Sequence, residues 1–216
     1  HVITGAGFGG MTCFNDKEAY EHALSLRGWG RRSSLYSHSE DYERRFNTKI
    51  DDMYYDDKYI FDDIAYNFLP SEISAAFALV QLKKLQANIE KRISNFSYLR
   101  DNLIYSDNFF IPKTYENVKT GWLAFPLVMQ NKLSDKRRDM QIYLEKEGIQ
   151  TRTIFTGNIM RQPVANKFEW DSYGSFEVSD EIMRSGILLG SHNRQPKENL
   201  EFLVSKIKEI EAKLLK

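Results

Sequence analysis

The chain has 216 residues, room for one large domain or two small ones, and 42% of them are apolar, enough to build a real core. Lysine plus arginine equal aspartate plus glutamate at 30 each, so no net field draws in nucleic acid or an anionic membrane. No apolar run is as long as a membrane span, no signal-peptide pattern is seen, and the single cysteine, Cys13, excludes an internal disulfide or a cysteine-built metal cluster; together these fit the cytoplasm.

The first ten residues, His1 to Gly10, place Gly5, Gly7 and Gly10 in the G-x-G-x-x-G spacing of a dinucleotide-binding turn. That turn requires a helix straight after its third glycine. Here Met11-Thr12-Cys13-Phe14 follows, alternating and rich in strand formers. About 20 residues on, an acidic residue should end a second strand. Gly28-Trp29-Gly30-Arg31-Arg32 stands there instead, with no apolar run before it. The glycines are therefore read as a close backbone approach, or as a turn into a Met11–Phe14 strand in which Cys13 is a small buried residue. With no initiator methionine and a start inside an apolar stretch, the sequence reads as part of a longer chain.

A helix is predicted from Asp16 to Arg27, with Asn15 as N-cap, Glu18 three places on, and Gly28 as its stop. Residues 33–63 are polar, acidic and tyrosine-rich; a stretch this long is either a functional cover or a solvated loop. Within it, Ile50 to Phe61 is predicted as a hairpin turning near Asp56-Asp57. Ser71 can cap a helix carrying Ala75, Ala76, Leu79, Val80 and Leu82. A second helix follows from Asn88 to Leu103, with Ile89, Ile93, Phe96 and Leu99 or Leu103 on one face. The remainder reads as a separate small α/β unit. Trp122–Met129 is a strand, Ser134 starts a helix that Gly148 ends, and Gln150–Phe155 is another strand. Ile187-Leu188-Leu189 is strand-like, and a last helix begins near Pro196. Its stripe of Leu200, Leu203, Val204, Ile207, Ile210 and Leu214 is read as core.

Chemistry has to come from the polar constellations. Asn67 stands before a helix start, where its amide either donates to a phosphate or caps the turn; spacing favours the cap. Thr151 to Pro163 leaves a strand and sets Arg152, Asn158, Arg161 and Gln162 around Gly157. Two guanidinium groups with amides suit a phosphate or carboxylate, and equally an ion-paired surface loop. Gly190-Ser191-His192-Asn193 is a third polar spot, whose histidine is read as structural. His1, His22, His38 and His192 are scattered without metal-ligand spacing, so no metal site is expected.

Several stretches together resemble one family. His1-Val2-Ile3-Thr4 through Gly9-Gly10-Met11, Leu26 to Arg31, Tyr66-Asn67 with Ala75-Ala76, and Gln81-Leu82 look like the DegT/DnrJ/StrS sugar aminotransferases. These are fold type I pyridoxal-phosphate enzymes acting on nucleotide-linked keto sugars. The resemblance covers almost the whole chain and corresponds to the C-terminal half of such an enzyme. It implies an α/β fold: the end of the large-domain sheet plus a small α/β domain, with residues 1–86 in the cofactor-binding domain and 87–216 in the small one. Thr151-Arg152 through Gly157-Asn158-Ile159-Met160-Arg161-Gln162-Pro163 is similar to the branch of CDP- and GDP-linked 4-keto-6-deoxyhexose 3-dehydratases.

In ordinary members a lysine that holds the cofactor covalently stands where this chain has His1, and the dehydratase branch makes the same exchange. Imidazole has no primary amine, so the resemblance implies a noncovalent cofactor working as pyridoxamine 5'-phosphate. His1, with an ordinary pKa of about 6.5, is then the catalytic base. The implied reaction is loss of the C3 hydroxyl, in deoxysugar or lipopolysaccharide biosynthesis. Asn67 would contact cofactor phosphate, often that of a neighbouring subunit; Arg152, Asn158 and Arg161 would hold the nucleotide sugar or glutamate, the amino donor. A homodimer with shared sites follows, with neither nucleic acid nor membrane as partner. The CDP-linked member carries an iron–sulfur cluster in the region matching Trp29–Phe46; this chain has no cysteine there, so a GDP-type cycle without a cluster is expected. The family's acidic residue in the glycine stretch is replaced by Ala6-Gly7-Phe8. An ordinary aminotransferase and a non-catalytic aminotransferase-like subunit are the alternatives.

Overall fold

Asp16 opens the first helix, α1 (Lys17–Arg27): its carboxylate accepts from the Ala19 amide at 2.7 Å, satisfying a donor with no partner inside the helix. The cap is thus one residue later than Asn15. The computed structural model describes residues 3–7 and 9–216, and these fall into two units, 3–82 and 83–216. In the first unit the expected Met11–Phe14 strand does not form, and Cys13 is exposed rather than buried. No strand among the described residues lies alongside to complete its ladder of hydrogen bonds, so the alternating pattern alone does not make a strand.

After α1 come a 3-10 turn (Arg32–Leu35) and the short α2 (Tyr42–Arg45), capped by the Asp41 carboxylate on the Glu43 amide. The hairpin is β1 (Thr48–Ile50) against β2 (Met53–Tyr55), with Thr48 opposite Tyr55 and Ile50 opposite Met53. It turns at Asp51-Asp52, where Asp51 takes φ 53°, not at Asp56-Asp57. The reason is that Asp56 is used elsewhere. Its carboxylate accepts from the Lys58 amide at 3.0 Å to start a 3-10 turn, and from Arg45 Nε at 3.1 Å. The last element of this unit, α3 (Glu72–Leu82), leaves Ile73, Phe77, Leu79, Val80 and Leu82 exposed and buries Ser74.

The second unit opens on α4 (Leu85–Leu103), three residues earlier than the expected Asn88. It then runs β3 (Phe109–Phe110), β4 (Phe125–Met129), α5 (Arg137–Lys146), β5 (Thr151–Thr153), α6 (Glu177–Ser185), β6 (Gly186–Leu189) and α7 (Lys197–Leu214). The strands are shorter than Trp122–Met129 and Gln150–Phe155. Trp122 (φ 30°) and Phe155 (φ 46°) leave extended geometry and end them. The sheet order is β3-β4-β6-β5, antiparallel throughout, with Phe125 opposite Leu189 and Thr151 opposite Leu189 on its other side. Gly148 (φ 77°) follows α5 in the left-handed conformation that closes helices.

One sheet face supplies Leu127, Met129, Ile187 and Leu189 to the core. Phe96, Leu99 and Leu103 of α4, Met140 and Leu144 of α5, and the α7 stripe from Leu200 to Ile210 meet them there. Each such side chain contributes about 1.5–3 kcal/mol on burial. Phe96 also stacks flat on Trp122, centroids 3.7 Å apart. The far end of α7 is fastened by a buried carboxylate. Glu211 accepts from Tyr105 Oη at 2.7 Å, Asn108 Nδ2 at 3.1 Å and Ser106 Oγ, which ties α7 to the turn after α4. Its charge is acceptable out of water because three donors face it.

Candidate functional site

His1 lies outside the described residues. Asn67 belongs to the unit of residues 3–82, where its backbone is built against the end of α1. Gly28 and Asn67 form an antiparallel bridge, Tyr66 donates to Leu26 O at 2.9 Å, and Phe68 donates to Arg27 O at 2.9 Å. The Asn67 side chain is exposed, and its carboxamide makes no hydrogen bond among the described residues. It does not cap α3, which begins five positions later at Glu72. The cap favoured by spacing is therefore not made, and the amide is available to a ligand.

In the other unit, the polar segment after β5 separates into two groups. The first is built on a tight turn. Gly157 donates to Ile154 O at 3.0 Å and takes φ 63°; a Cβ there would lie 2.5 Å from Met183 Cγ on α6. This contact brings α6 and its Asp180 under the turn. Asn158, only 4% exposed, accepts from the Met160 amide through Oδ1 and donates from Nδ2 to Asp180 Oδ1 at 2.7 Å. Arg161 forks onto the same carboxylate, Nε at 3.0 Å and Nη2 at 2.7 Å. Arg161 first, then Asn158, hold the Asp180 carboxyl down at about 2. Asp180, 22 residues from Asn158, had no signal in the local sequence.

The second group surrounds Arg152, whose side chain is exposed and whose Nη1 donates to Thr151 O at 2.7 Å. It borders a cleft of about 890 Å³, with Leu123, Ala124, Phe155, Gln195 and Phe202 among its walls. Gln195 Oε1 is sealed from solvent there with no donor facing it among the described residues. Beside Arg152, Glu145 accepts from the Thr151 amide at 2.6 Å and the Thr151 hydroxyl at 2.9 Å, which keeps its carboxyl below the usual range. Buried Arg92 braces the cleft wall by donating to Trp122 O at 3.0 Å and Leu123 O at 2.9 Å. Its signal in the sequence was a charge one turn before Phe96, on the apolar side of α4.

His192 sits in the turn before α7. Its Nδ1 accepts from the Arg194 amide at 3.1 Å, and its carbonyl accepts from Asn95 Nδ2 at 2.8 Å. Partial burial, then the charges of Arg92 and Arg194, push its pKa below the ordinary value. Gln162, the fourth polar residue of the segment, donates from Nε2 to Thr156 O at 2.9 Å and closes the turn.

The model of the DegT/DnrJ/EryC1/StrS aminotransferase family matches residues 1–208. The lipopolysaccharide biosynthesis protein RfbH of Salmonella typhimurium is 29% identical over 97% of this chain and 48% of its own length. The GDP-4-keto-6-deoxy-D-mannose 3-dehydratase of Yersinia pseudotuberculosis is 26% identical over 96% of this chain and 51% of its own. The chain thus spans about half the length of the curated relatives it matches. Among solved structures, the E. coli GDP-4-keto-6-deoxy-D-mannose-3-dehydratase with bound hydrated PLP superposes with a TM-score of 0.75. It shares 23% identity, and the match covers 89% of this chain and 48% of that one. The α/β fold is that of these aminotransferase-like enzymes.

Proposed function

Because the chain belongs to the DegT/DnrJ/EryC1/StrS aminotransferase family, we propose that it serves the pyridoxamine-phosphate-dependent removal of the C3 hydroxyl from a nucleotide-linked 4-keto-6-deoxyhexose. The observation that carries this reading is that relatives bearing the 3-dehydratase name align over nearly the whole chain. The histidine at position 1, where the resemblance expects a lysine in ordinary aminotransferases, points the same way.

The residues present suit a phosphate-bearing cofactor. Asn67 holds a free carboxamide on a backbone fixed at both neighbours. When bound, pyridoxal or pyridoxamine phosphate supplies an electron sink for carbanion chemistry. His1 has no amine with which to hold an aldehyde covalently, and its ring nitrogen takes up and returns a proton near neutrality. Arg152, exposed at the cleft with one Nη occupied, binds the anionic end of nucleotide sugar or glutamate through its remaining donors. Arg161 offers the Nη1 not used on Asp180. Asn158, with both side-chain atoms occupied, acts on the ligand by fixing Asp180 and the turn. Residues 1–86 serve the large cofactor-binding domain and 87–216 the small domain. The same reading makes the protein a cytoplasmic homodimer with shared sites, Asn67 serving the neighbouring subunit, and leaves the apolar side chains of α3 for burial in the assembly.

The test is to incubate the intact protein with pyridoxal phosphate, glutamate and a nucleotide-linked 4-keto-6-deoxyhexose, and to treat the resting protein with borohydride. A 3-deoxy sugar and no covalently trapped cofactor are expected. Cofactor trapped on the chain, or an amino sugar as sole product, would replace this reading with an ordinary aminotransferase. Failure of glutamate to convert the cofactor to its amine would point to a non-catalytic subunit.

A further inference from the structure

Four arginines lie within residues 28–67; two of them are matched to acids, and Arg44 lies over the Tyr36 ring. Arg32 forks onto Asp62, with Nε at 2.9 Å and Nη2 at 2.6 Å, and Arg45 pairs with Asp56. Arg31 is treated differently. Its guanidinium carbon lies 4.6 Å from the centroid of the Trp29 ring, 5.7 Å from Phe61 and 6.0 Å from Tyr59. No carboxylate is within ion-pair distance of it among the described residues, and its Nε is sealed from solvent with no acceptor. Ring faces attract the cation without using any of its N–H donors, so the fork stays unspent.

The backbone is held in an unfavourable shape to present this group. Trp29 takes φ 63°, rare for a bulky side chain, and Gly30 takes φ 70°. A Cβ on Gly30 would fall 2.1 Å from Asp63 O. The turn persists because backbone bonds and isolated bridges to residues 60–67 over-determine it. Trp29 donates to Tyr66 O at 2.8 Å, Arg32 donates to Ile60 O at 3.0 Å, and Arg31 and Phe61 form an antiparallel bridge. The free amide of Asn67 is carried by the same ladder, opposite Gly28. Strain of this kind, maintained around an unpaired cation, is a mark of a ligand site. The Trp29, Tyr59 and Phe61 rings are each partly exposed, so flat apolar surface lies beside the unspent fork.

We infer that Arg31, with its ring cage, binds the diphosphate of a nucleoside diphosphate while an exposed ring, Tyr59 or Phe61, stacks on the base. A planar fork grips phosphate oxygens in pairs, and every base has a face that stacks on an aromatic side chain. This deepens the proposed function by assigning the nucleotide end of its substrate, and it rests on that reading for the identity of the ligand.

The test is calorimetric titration of the intact protein with GDP, CDP, dTDP, inorganic pyrophosphate and pyridoxal phosphate, repeated for Arg31→Gln, Arg31→Lys and Phe61→Ala with Tyr59→Ala. Nucleoside diphosphates should bind, more weakly as salt rises. Arg31→Gln should lose tenfold or more in their affinity, and Arg31→Lys, which keeps the charge without the fork, should fall between. The double ring variant should weaken nucleoside diphosphates and spare pyrophosphate. Undiminished GDP, CDP and dTDP binding in both Arg31 variants overturns the inference, as does loss of pyridoxal phosphate binding alone, which would assign Arg31 to the cofactor phosphate. Nucleotide binding through Arg31 without sugar dehydration would leave this inference standing and remove the proposed function. Dehydration with a KM indifferent to Arg31→Gln would do the reverse.

Discussion

Gly148→Ala and Gly157→Ala form a pair that separates backbone strain from steric conflict. Both glycines are left-handed, at φ 77° and φ 63°. A left-handed alanine costs about 1–2 kcal/mol, partly offset by about 0.4–1 kcal/mol from restricting the unfolded chain. At Gly148 the added methyl meets nothing within 4 Å, so the net loss should be about 1 kcal/mol by those two effects alone. At Gly157 the methyl would sit 2.5 Å from Met183 Cγ, 2.6 Å from its Cβ and 3.1 Å from its Cα. The last of these is helix backbone, which no rotamer change removes. Overpacking of this kind adds about 1–3 kcal/mol, for a total of about 2–4 kcal/mol. Urea unfolding measures both; in a chain of this size each kcal/mol also lowers Tm by about 2–4 °C. Because Met183 lies one turn past Asp180, Gly157→Ala should also loosen the Arg161 fork, whereas Gly148→Ala should not. Equal losses in the two variants, within about 0.5 kcal/mol, would refute the packing of the 154–157 turn on α6.

Asp180→Asn should lower stability near neutral pH, and its deficit should shrink as pH falls. The folded carboxyl titrates at about 2 against an ordinary 3.8, so its contribution is complete above 3.8 and lost as pH drops through about 2; melting curves from pH 2 to 5 follow it. Arg92→Met keeps the bulk but leaves the Trp122 and Leu123 carbonyls without their donor, and should cost about 2–4 kcal/mol in chemical denaturation. Arg152→Gln should raise KM for the nucleotide sugar or for glutamate by about tenfold or more while the melting temperature stays put; Arg152→Lys should not restore it, since an ammonium cannot reproduce the fork. A KM unchanged in both variants would remove Arg152 from the ligand.

Local pattern was enough wherever a helix carried its own stripe and signals. α7 shows this best, with Pro196 ahead of it and Leu200 to Ile210 buried as their spacing required. It was insufficient where a distant residue decides. Asp51-Asp52 and Asp56-Asp57 look alike as turn signals, and Arg45, eleven residues before Asp56, determines which of them turns the hairpin. Met11–Phe14 alternates as a strand does, yet a strand exists only beside another. In the site, Arg152, Asn158 and Arg161 stood out as one constellation. The fold divides them, because Asp180 takes two and the cleft takes the third. Neighbouring Arg31 and Arg32 were indistinguishable in sequence; the approach of residues 59–62 gives Arg32 an acid and adds the Tyr59 and Phe61 rings to Trp29 around Arg31.

The Glu211 fastening has a bearing on biosynthesis. Its bond to Ser106 joins positions 105 residues apart, and α7 completes a core that α4 began. At translation rates of about 5–20 residues per second, α4 waits on the order of 5–20 s for its partner. Throughout that interval Phe96, Leu99 and Leu103 lack the helix that covers them. The nascent chain therefore keeps that apolar face uncovered until residue 211 clears the ribosome, and changes to the last two turns should reduce yield in the cell more than they reduce the stability of protein already folded.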